Sequence, residues 1–143
     1  MRTVLLVSED EALDAQLLRA LPDCSVFTTP TDEEALRTLR LTEVDLILKH
    51  VTQPVRDLEG FIAKARQLRP TVVIVCILPA EGLSHDDEVA AEEADFALLY
   101  PFSPQHLHAV LRQADEKLRL LQEVRGDVRR SLAVSSRHVG QTE

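Results

Sequence analysis

The sequence has few aromatic residues: they make up 3% of 143 residues, and tryptophan is absent. Proteins that bind nucleic acid usually carry a basic stripe interleaved with aromatic side chains. Here the net charge is −8, with 19 acidic and 9 basic residues over 1–103, and 5 and 7 over 104–143. Because an acidic body repels a phosphate backbone, we expect no direct binding of nucleic acid.

Long apolar stretches are also missing. No window approaches the roughly 18 consecutive apolar residues of a membrane-spanning helix. The Met1-Arg2 start is not followed by the apolar stretch and cleavage site of a secretory signal peptide. We therefore expect no membrane contact and a cytoplasmic location.

Cysteine is scarce, since the chain has only Cys24 and Cys76. Both lie in apolar, β-branched surroundings typical of a core, and a disulfide framework or metal site would need more cysteines or neighbouring histidines. The apolar fraction of 45% is enough for the core of one domain. We predict structural cysteines and no cofactor.

Five short apolar runs alternate with segments of helical period. Helix starts are marked by a capping box at Thr31, a Ser84 cap before Asp86–Glu93, and the Ser103-Pro104 pair. Strict alternation predicts parallel strands with right-handed crossovers. The predicted fold is therefore α/β, a doubly wound five-stranded parallel sheet with an extended C-terminal helix. The predicted strands are Thr3–Val7, Cys24–Thr28, Val44–Leu48, Val72–Ile77 and Phe96–Leu99.

Ligands of such sheets bind outside the carboxyl ends of the strands, where the strand order reverses. This rule selects the residues at or after the ends of four predicted strands as the candidate site. They are Ser8, Glu9, His50, Leu78 and Tyr100.

Four spaced motifs resemble the receiver domain of two-component response regulators, over roughly residues 2–117. They read "VLLVSEDEAL", "VDLILKHVTQP", "RPTVVIVCILPA" and "ADFALLYPFSPQHL". In receiver domains the last motif typically carries a lysine before its Pro-Phe-Ser-Pro segment, and Tyr100 stands in that place. The resemblance implies a flavodoxin-like fold and a role in phosphorelay signalling.

The chemistry of that family needs two carboxylates for Mg²⁺, a nucleophilic aspartate, a hydroxyl and the lysine. The matching positions read Ser8 and Glu9, then His50, Leu78 and Tyr100. Four of the five have lost their chemistry. The resemblance therefore implies a degenerate pseudo-receiver that lacks the phosphoacceptor aspartate and is not an enzyme.

His50 permits a sharper interpretation, because imidazole can accept a phosphoryl group or bind a metal ion. A metal site would need further ligands, and the other candidate histidines belong to other segments of the chain: His85, His106 and His108. We expect His50 to end a strand and the chain to hold no metal.

Glu9 and Tyr100 each have two interpretations. Glu9 with Asp10 could attract Mg²⁺ weakly, although an acidic turn at a helix N-terminus is usually just solvated. Tyr100 could be an interface anchor, since a phenol combines apolar area with a hydrogen-bonding tip. It could equally cover the vacated pocket.

The last helix carries a heptad stripe, with Arg125 as its one polar member. Beyond about Leu118 no sheet is left to cover, so the stripe predicts a partner helix. The alternative is a helix that folds back on its own domain, and Gly126 weakens the far end. We predict a receiver-like domain (1–117), a coiled-coil connector (118–134) and a flexible tail (135–143). The predicted dimer residues are Leu118, Leu121, Val128 and Leu132.

The leading hypothesis is a regulatory and dimerisation module that works without its own phosphorylation. Its expected partners are a second copy of the chain, other signalling proteins and a downstream output domain. One alternative is an atypical phosphate-accepting switch that uses His50 or Glu9. The other is a stand-alone adaptor that binds proteins through its acidic fourth helix and fifth strand.

Overall fold

Five strands alternate with five helices in the structure, a computed structural model that describes the backbone of residues 2–142 and the side chains of residues 2–124. The strands are β1 Thr3–Val7, β2 Ser25–Thr29, β3 Leu46–His50, β4 Val73–Pro79 and β5 Phe96–Tyr100. The helices are α1 Glu11–Arg19, α2 Asp32–Leu41, α3 Leu58–Leu68, α4 His85–Ala91 and α5 Pro104–Thr142.

All neighbouring strands pair in parallel, in the order β2-β1-β3-β4-β5. This is the strand order of flavodoxin-like sheets, and the order reverses between β1 and β3. The predicted fold, a doubly wound five-stranded parallel sheet with a long C-terminal helix, is confirmed.

Some strand boundaries differ from the prediction. β3 was expected at Val44–Leu48 but runs from Leu46 to His50. Val44 is buried, yet it lies before the first paired residue of the strand. A run of apolar residues indicates which residues are buried, whereas a strand is defined by its hydrogen-bonded ladder. The apolar run and the strand can therefore be offset, here by two residues.

All five helices begin at a side chain that caps the first turn, which satisfies backbone N–H groups that have no partner in the helix. Thr31 accepts from the N–H of Glu34 at 3.2 Å, as the capping box predicts. The other capping residues are Asp10 for α1, Asp57 for α3, Ser84 for α4 and Ser103 for α5.

The core has two layers, one on each side of the sheet. Side chains of α2, α3 and α4 pack on one side, and those of α1 and α5 pack on the other. Cys76 is fully buried in the first layer, and burial raises the pKa of its thiol to about 12. Both cysteines are free, and Cys76 is a core residue, as expected.

Two aspartates tie the starts of β3 and β5 to their neighbouring strands. The Asp45 carboxylate accepts from the N–H of Thr3, and the Asp45 N–H donates to the carbonyl of Thr3, both at 2.9 Å. Asp95 makes the same pair of bonds with Ile74, at 2.8 and 2.9 Å. Each strand therefore begins at a closed two-bond bridge.

Asp95 also joins α3 and α5 to the sheet. Its side chain is 7% exposed and pairs with Arg66 at 3.2 Å and with Lys117. Burial alone would raise the pKa of Asp95, but the bonds from Lys117 and the Ile74 N–H, with the Arg66 charge, lower it. We name these residues the Asp95 clamp: Arg66, Ile74, Asp95 and Lys117.

Helix α5 stays on the domain for longer than the sequence suggests. Leu118 was predicted to face a partner, but it is 3% exposed in the same core layer as α1, and the half-buried Leu121 packs against that layer. Leu120 and Val124 are 50% and 60% exposed. The apolar surface left free among the described α5 side chains therefore begins at Leu120.

The remaining predictions for α5 concern its far end. Val128, Leu132 and the predicted tail over 135–143 lie outside the described side chains, and those expectations stay predictions. Within the described residues, no helix is long and apolar enough to cross a membrane.

Candidate functional site

The five predicted site residues gather at the carboxyl edge of the sheet. Ser8 and Glu9 follow β1, and His50 and Tyr100 are the last residues of β3 and β5. Leu78 is the penultimate residue of β4. Parallel strands end at a common edge, so this placement follows directly from the fold.

A row of three rings occupies one part of this edge. The ring centroids of His50 and Tyr100 are 5.6 Å apart at an interplanar angle of 61°. Tyr100 stands at the same distance from Phe102, at 74°. All three are half-buried, and such edge-to-face contacts stabilise aromatic pairs. Tyr100 therefore contacts a ring on each of two neighbouring segments.

A polar group lies beside the rings, around the β1–α1 turn. The Ser8 hydroxyl accepts from the Asp10 N–H at 3.0 Å and donates to the Asp14 carboxylate. The Asp14 Oδ1 atom is buried and has no hydrogen-bond partner among the described residues. This oxygen is an exception, since most buried polar atoms are hydrogen-bonded.

Burial and neighbouring charges shift two pKa values in this group. Burial raises the pKa of Asp14, and the nearby Asp10 and Glu11 charges add to the rise, against the Ser8 hydrogen bond and the His50 charge. Burial lowers the pKa of His50, assisted by Lys49 and opposed by Asp10 and Asp14. Each group is thus biased toward its neutral form.

Leu78 lies apart from the rings. It is 7% exposed and belongs to the core layer under α3 and α4, whereas Tyr100 packs against the layer under α1 and α5. A leucine in that layer offers no hydrogen bond to a phosphoryl oxygen.

Lys49 marks a second polar feature, on the other side of β3 from His50. Its Nζ pairs with Asp32 at 2.6 Å and lies 5.3 Å from the centroid of the Phe61 ring. Both charged side chains are largely buried, so the pair fixes the start of α2 against β3.

A cavity of about 720 Å³ opens between the ends of β1 and β3 and the starts of α2 and α3. Its wall includes charges of both signs, among them Glu9, Asp32, Lys49 and Lys64, with Phe61 below. The volume lies in the range of small-molecule pockets. Within the described residues, no group of three His, Cys, Asp or Glu side chains could hold a metal ion.

Three contributors to this edge were missed by the sequence reasoning: Asp14, Lys49 and Phe102. Asp14 shares a helix face with Asp10 and Leu17, at spacings of four and three. Two of these residues had a signal in the sequence. Asp14 is a charged residue on an apolar helix face, and Lys49 is a lysine inside an apolar strand run.

Comparison with known proteins shows similarity only at the level of structure, since no family model and no curated protein matches the chain. The structure of adenylate cyclase from Rhodopirellula baltica covers 90% of this chain and 97% of its own, at 22% identity and a TM-score of 0.76. A CheY-like response regulator receiver domain protein from Methanospirillum hungatei covers 86% and 98%, at 22% identity and a TM-score of 0.68.

A third similar structure is the signal receiver domain of an HD domain-containing protein from Pseudomonas fluorescens. It covers 85% of this chain and 92% of its own, at 23% identity and a TM-score of 0.72. Identities this low show the fold alone. The chain therefore has the receiver fold that the four motifs suggest, and the activities of these proteins remain statements about them.

Proposed function

We propose that this chain is a receiver-like signalling module of a two-component pathway that acts through protein contacts and accepts no phosphoryl group itself. The observation that supports this most directly is the contact between His50 and Tyr100, at 5.6 Å between ring centroids. These rings occupy the positions where the resemblance expects a nucleophilic aspartate and a lysine.

The physical argument concerns charge. A phosphoryl group on a carboxylate needs a divalent cation and donors for its oxygens. At this edge Glu9 is exposed, Ser8 is bonded to Asp14, and Leu78 is apolar. A phosphoryl group transferred to this edge would therefore find neither the hydroxyl nor the ammonium group that the resemblance expects at Leu78 and Tyr100.

The test is incubation with acetyl phosphate and Mg²⁺, followed by mass spectrometry of the intact chain. We expect no added phosphoryl group on the native chain. The His50→Asp variant is expected to form no stable acyl phosphate either, because Leu78 and Tyr100 remain. An active receiver domain treated in parallel controls for the donor. A mass increase of one phosphoryl group, mapped to His50 or Glu9, would contradict the proposal.

We also propose that the module forms a homodimer through the outer part of α5, as a two-stranded coiled coil. Leu120 and Val124 support this, because they expose apolar surface on the helix just where Leu118 turns inward. In the sequence, Leu120, Val124 and Val128 recur every four residues, a spacing typical of one helix face. This stripe avoids Arg125, which interrupts the one predicted from the sequence.

Sedimentation equilibrium on the double variant Leu120→Asn/Val124→Asn tests the dimer. We expect the native chain to be dimeric at concentrations on the order of tens of micromolar and the variant to be mostly monomeric. Leu41→Asn is the matched control, since Leu41 is 80% exposed on α2. A monomeric native chain, or an equally dimeric variant, would remove α5 from the interface. Leu118 is unsuitable for this test because its substitution disturbs the domain core.

A second candidate function is that of an adaptor, favoured by the surface of α4 and β5. Residues 70–111 contain seven acidic residues and neither lysine nor arginine. Val89 and Leu99 are exposed there, so an apolar centre lies among acidic groups. Such a surface favours a basic, amphipathic segment of another protein. Binding of a partner that is lost in Val89→Ser/Leu99→Ser, and kept in Leu41→Ser, would distinguish the adaptor from the connector.

A further inference from the structure

The group around His50 contains a buried oxygen atom without a hydrogen-bond partner among the described residues, which the proposed loss of phosphorylation does not explain. Asp14 has one buried carboxylate oxygen without a hydrogen-bond donor among the described residues. An unpaired buried acceptor costs free energy, so such an atom calls for a donor that is present in at least one state of the protein.

His50 is the group nearby that can supply a donor and a charge. It ends β3 on the same side of the sheet as α1, and the Asp14 and Asp10 charges both act on it. Neutral imidazole has one N–H donor, whereas imidazolium has two donors and a positive charge. Uptake of one proton would therefore add the missing donor and neutralise part of the acidic cluster.

The charged groups that face this pair come from three elements. The Asp10 and Glu11 charges, from the β1–α1 turn and the start of α1, oppose ionisation of Asp14, and Lys49 on β3 opposes a charge on His50. Burial disfavours the charged form of each group. A fall in pH gives His50 a proton and a positive charge, whereas it removes the negative charge of Asp14, and the ordinary pKa values of 6.5 and 3.8 place the first event at the higher pH.

The His50 ring contacts Tyr100, which in turn contacts Phe102. Ser103 follows directly, and it accepts from the His106 N–H in the first turn of α5. A change in the position of the imidazole is thus passed along two ring contacts to the start of the helix that leaves the domain.

We propose that His50 and Asp14 form a proton-binding site at the carboxyl edge of the sheet, and that protonation of the imidazole changes the packing of Tyr100 and Phe102 at the start of α5. A proton then takes the place of a phosphoryl group as the charge that this edge binds. Neutral His50 rests edge-on against Tyr100, whereas imidazolium is drawn toward Asp14.

The chain carries its own reporter for this event. Tyr100 is the single tyrosine and tryptophan is absent, so tyrosine emission reports on this ring alone. We expect the emission of the full chain to change between about pH 4 and pH 8, with a midpoint below the ordinary 6.5 of histidine. The His50 ring proton in NMR spectra is expected to titrate with the same midpoint.

Three variants make the test specific. His50→Gln should abolish the transition. Asp14→Asn should lower the proton affinity of His50 by at least about threefold, because it removes an attracting charge. His106→Gln is the matched control, since His106 is exposed on α5, and should leave the curve unchanged. Circular dichroism at each pH checks that every variant stays folded.

Emission that does not vary with pH, a transition that survives in His50→Gln, or an unchanged midpoint in Asp14→Asn would overturn the proposal. The link to α5 has its own readout, the amide shifts of Phe102 and Leu107. If these shifts do not follow the His50 midpoint, the transmission to α5 is wrong even where the proton site is right.

Discussion

Asp95 and Asp14 are two carboxylates whose side chains reach into the protein at opposite ends of the sheet. Asp95 accepts from Lys117, Arg66 and the Ile74 N–H. Asp14 receives a hydrogen bond from Ser8 and keeps one buried oxygen unpaired. Their pKa values shift in opposite directions, downward for Asp95 and upward for Asp14.

The difference shows that the number of donors, and not burial alone, decides whether such a carboxylate stabilises the fold. Burial raises the pKa at both positions, and only the donors of the Asp95 clamp reverse its effect. The satisfied carboxylate lies where α5 is fastened to the domain. The unsatisfied one lies at the carboxyl edge of the sheet, in the group around His50.

The largest expected effect is that of Asp95→Ala. The change leaves the Ile74 N–H without its acceptor and removes the carboxylate that pairs with Arg66 and Lys117, so we expect the free energy of unfolding to fall by about 2–4 kcal/mol. Urea unfolding measures it. Asp115→Ala is the control, because Asp115 pairs with Arg2 at 2.9 Å but is 63% exposed, and should cost at most about 1 kcal/mol. Equal costs for the two variants would refute the importance of the clamp.

Removing the Lys117 donor should shift the pKa of Asp95 upward, in the direction seen for Asp14. Lys117→Met keeps an apolar chain near the Phe96 ring, which the Lys117 Nζ faces at 5.9 Å. We expect a loss of about 1 kcal/mol and a rise in the pKa of Asp95, measured by NMR titration of its carboxyl carbon. A pKa of Asp95 that stays below its ordinary value in this variant would show that the other two donors suffice.

At the opposite edge, Asp14→Asn should stabilise the protein at neutral pH. The change removes a charge that burial and Asp10 disfavour, and we expect a gain of about 0.5–1 kcal/mol in the free energy of unfolding. Asp14→Ala, which also loses the hydrogen bond from Ser8, should gain less. If Asp14→Asn destabilised the fold, the unpaired oxygen would have a donor that compensates for its burial.

The smallest effects are expected in the pH dependence of the free energy of unfolding, to which Asp95 and Asp14 should contribute with opposite signs. The lowered pKa of Asp95 gives stability that is present above its ordinary 3.8 and is lost as the pH falls through the folded value. The raised pKa of Asp14 acts in the opposite sense, because the folded state binds its proton first and gains stability as the pH falls toward 3.8.

Protonation of His50 should lower the stability of the fold in a higher pH range. Its pKa is lowered on folding, so the unfolded chain takes up the proton first, and stability is lost as the pH falls from 6.5 to the folded value. Thermal unfolding at several pH values checks the signs. His50→Gln should flatten the curve below about pH 6.5, and Asp95→Asn should flatten it below about pH 4. A native curve without slope in either range would contradict these assignments.

The layout of strands and helices was predictable because each element has a strong local signal. Alternating apolar runs gave the parallel sheet, and Thr31 and Ser84 marked helix starts that the structure contains. The positions of Ser8, His50 and Tyr100 followed from the rule that parallel strands end at one edge. All of these depend on neighbours in the sequence or on the fold class.

The contacts inside the edge were not predictable in the same way. The unpaired oxygen of Asp14 depends on the distance between α1 and the end of β3, which no periodicity reports. The prediction that Leu118 faces a partner helix was wrong for a related reason, because the heptad spacing is the same whether a helix faces its own sheet or another helix. Only the packing of α5 shows that Leu118 lies inside and Val124 outside.

The two bridges at Asp45 and Asp95 bear on how the sheet avoids misalignment. Side chains on a strand alternate between faces, so sliding a strand by one residue would expose its apolar face. A slide by two residues keeps every side chain on its own face, and the apolar pattern of β3 or β5 does little to oppose it.

At each bridge, the aspartate's carboxylate and N–H bind one residue, Thr3 for β3 and Ile74 for β5. A two-residue slide would break both bonds and leave a carboxylate facing the wrong amide. The register of the sheet is thus fixed by these two polar bridges as well as by the core, and both bridges lie at the edge opposite His50. The carboxyl edge is left free to change its residues without cost to the alignment of the strands.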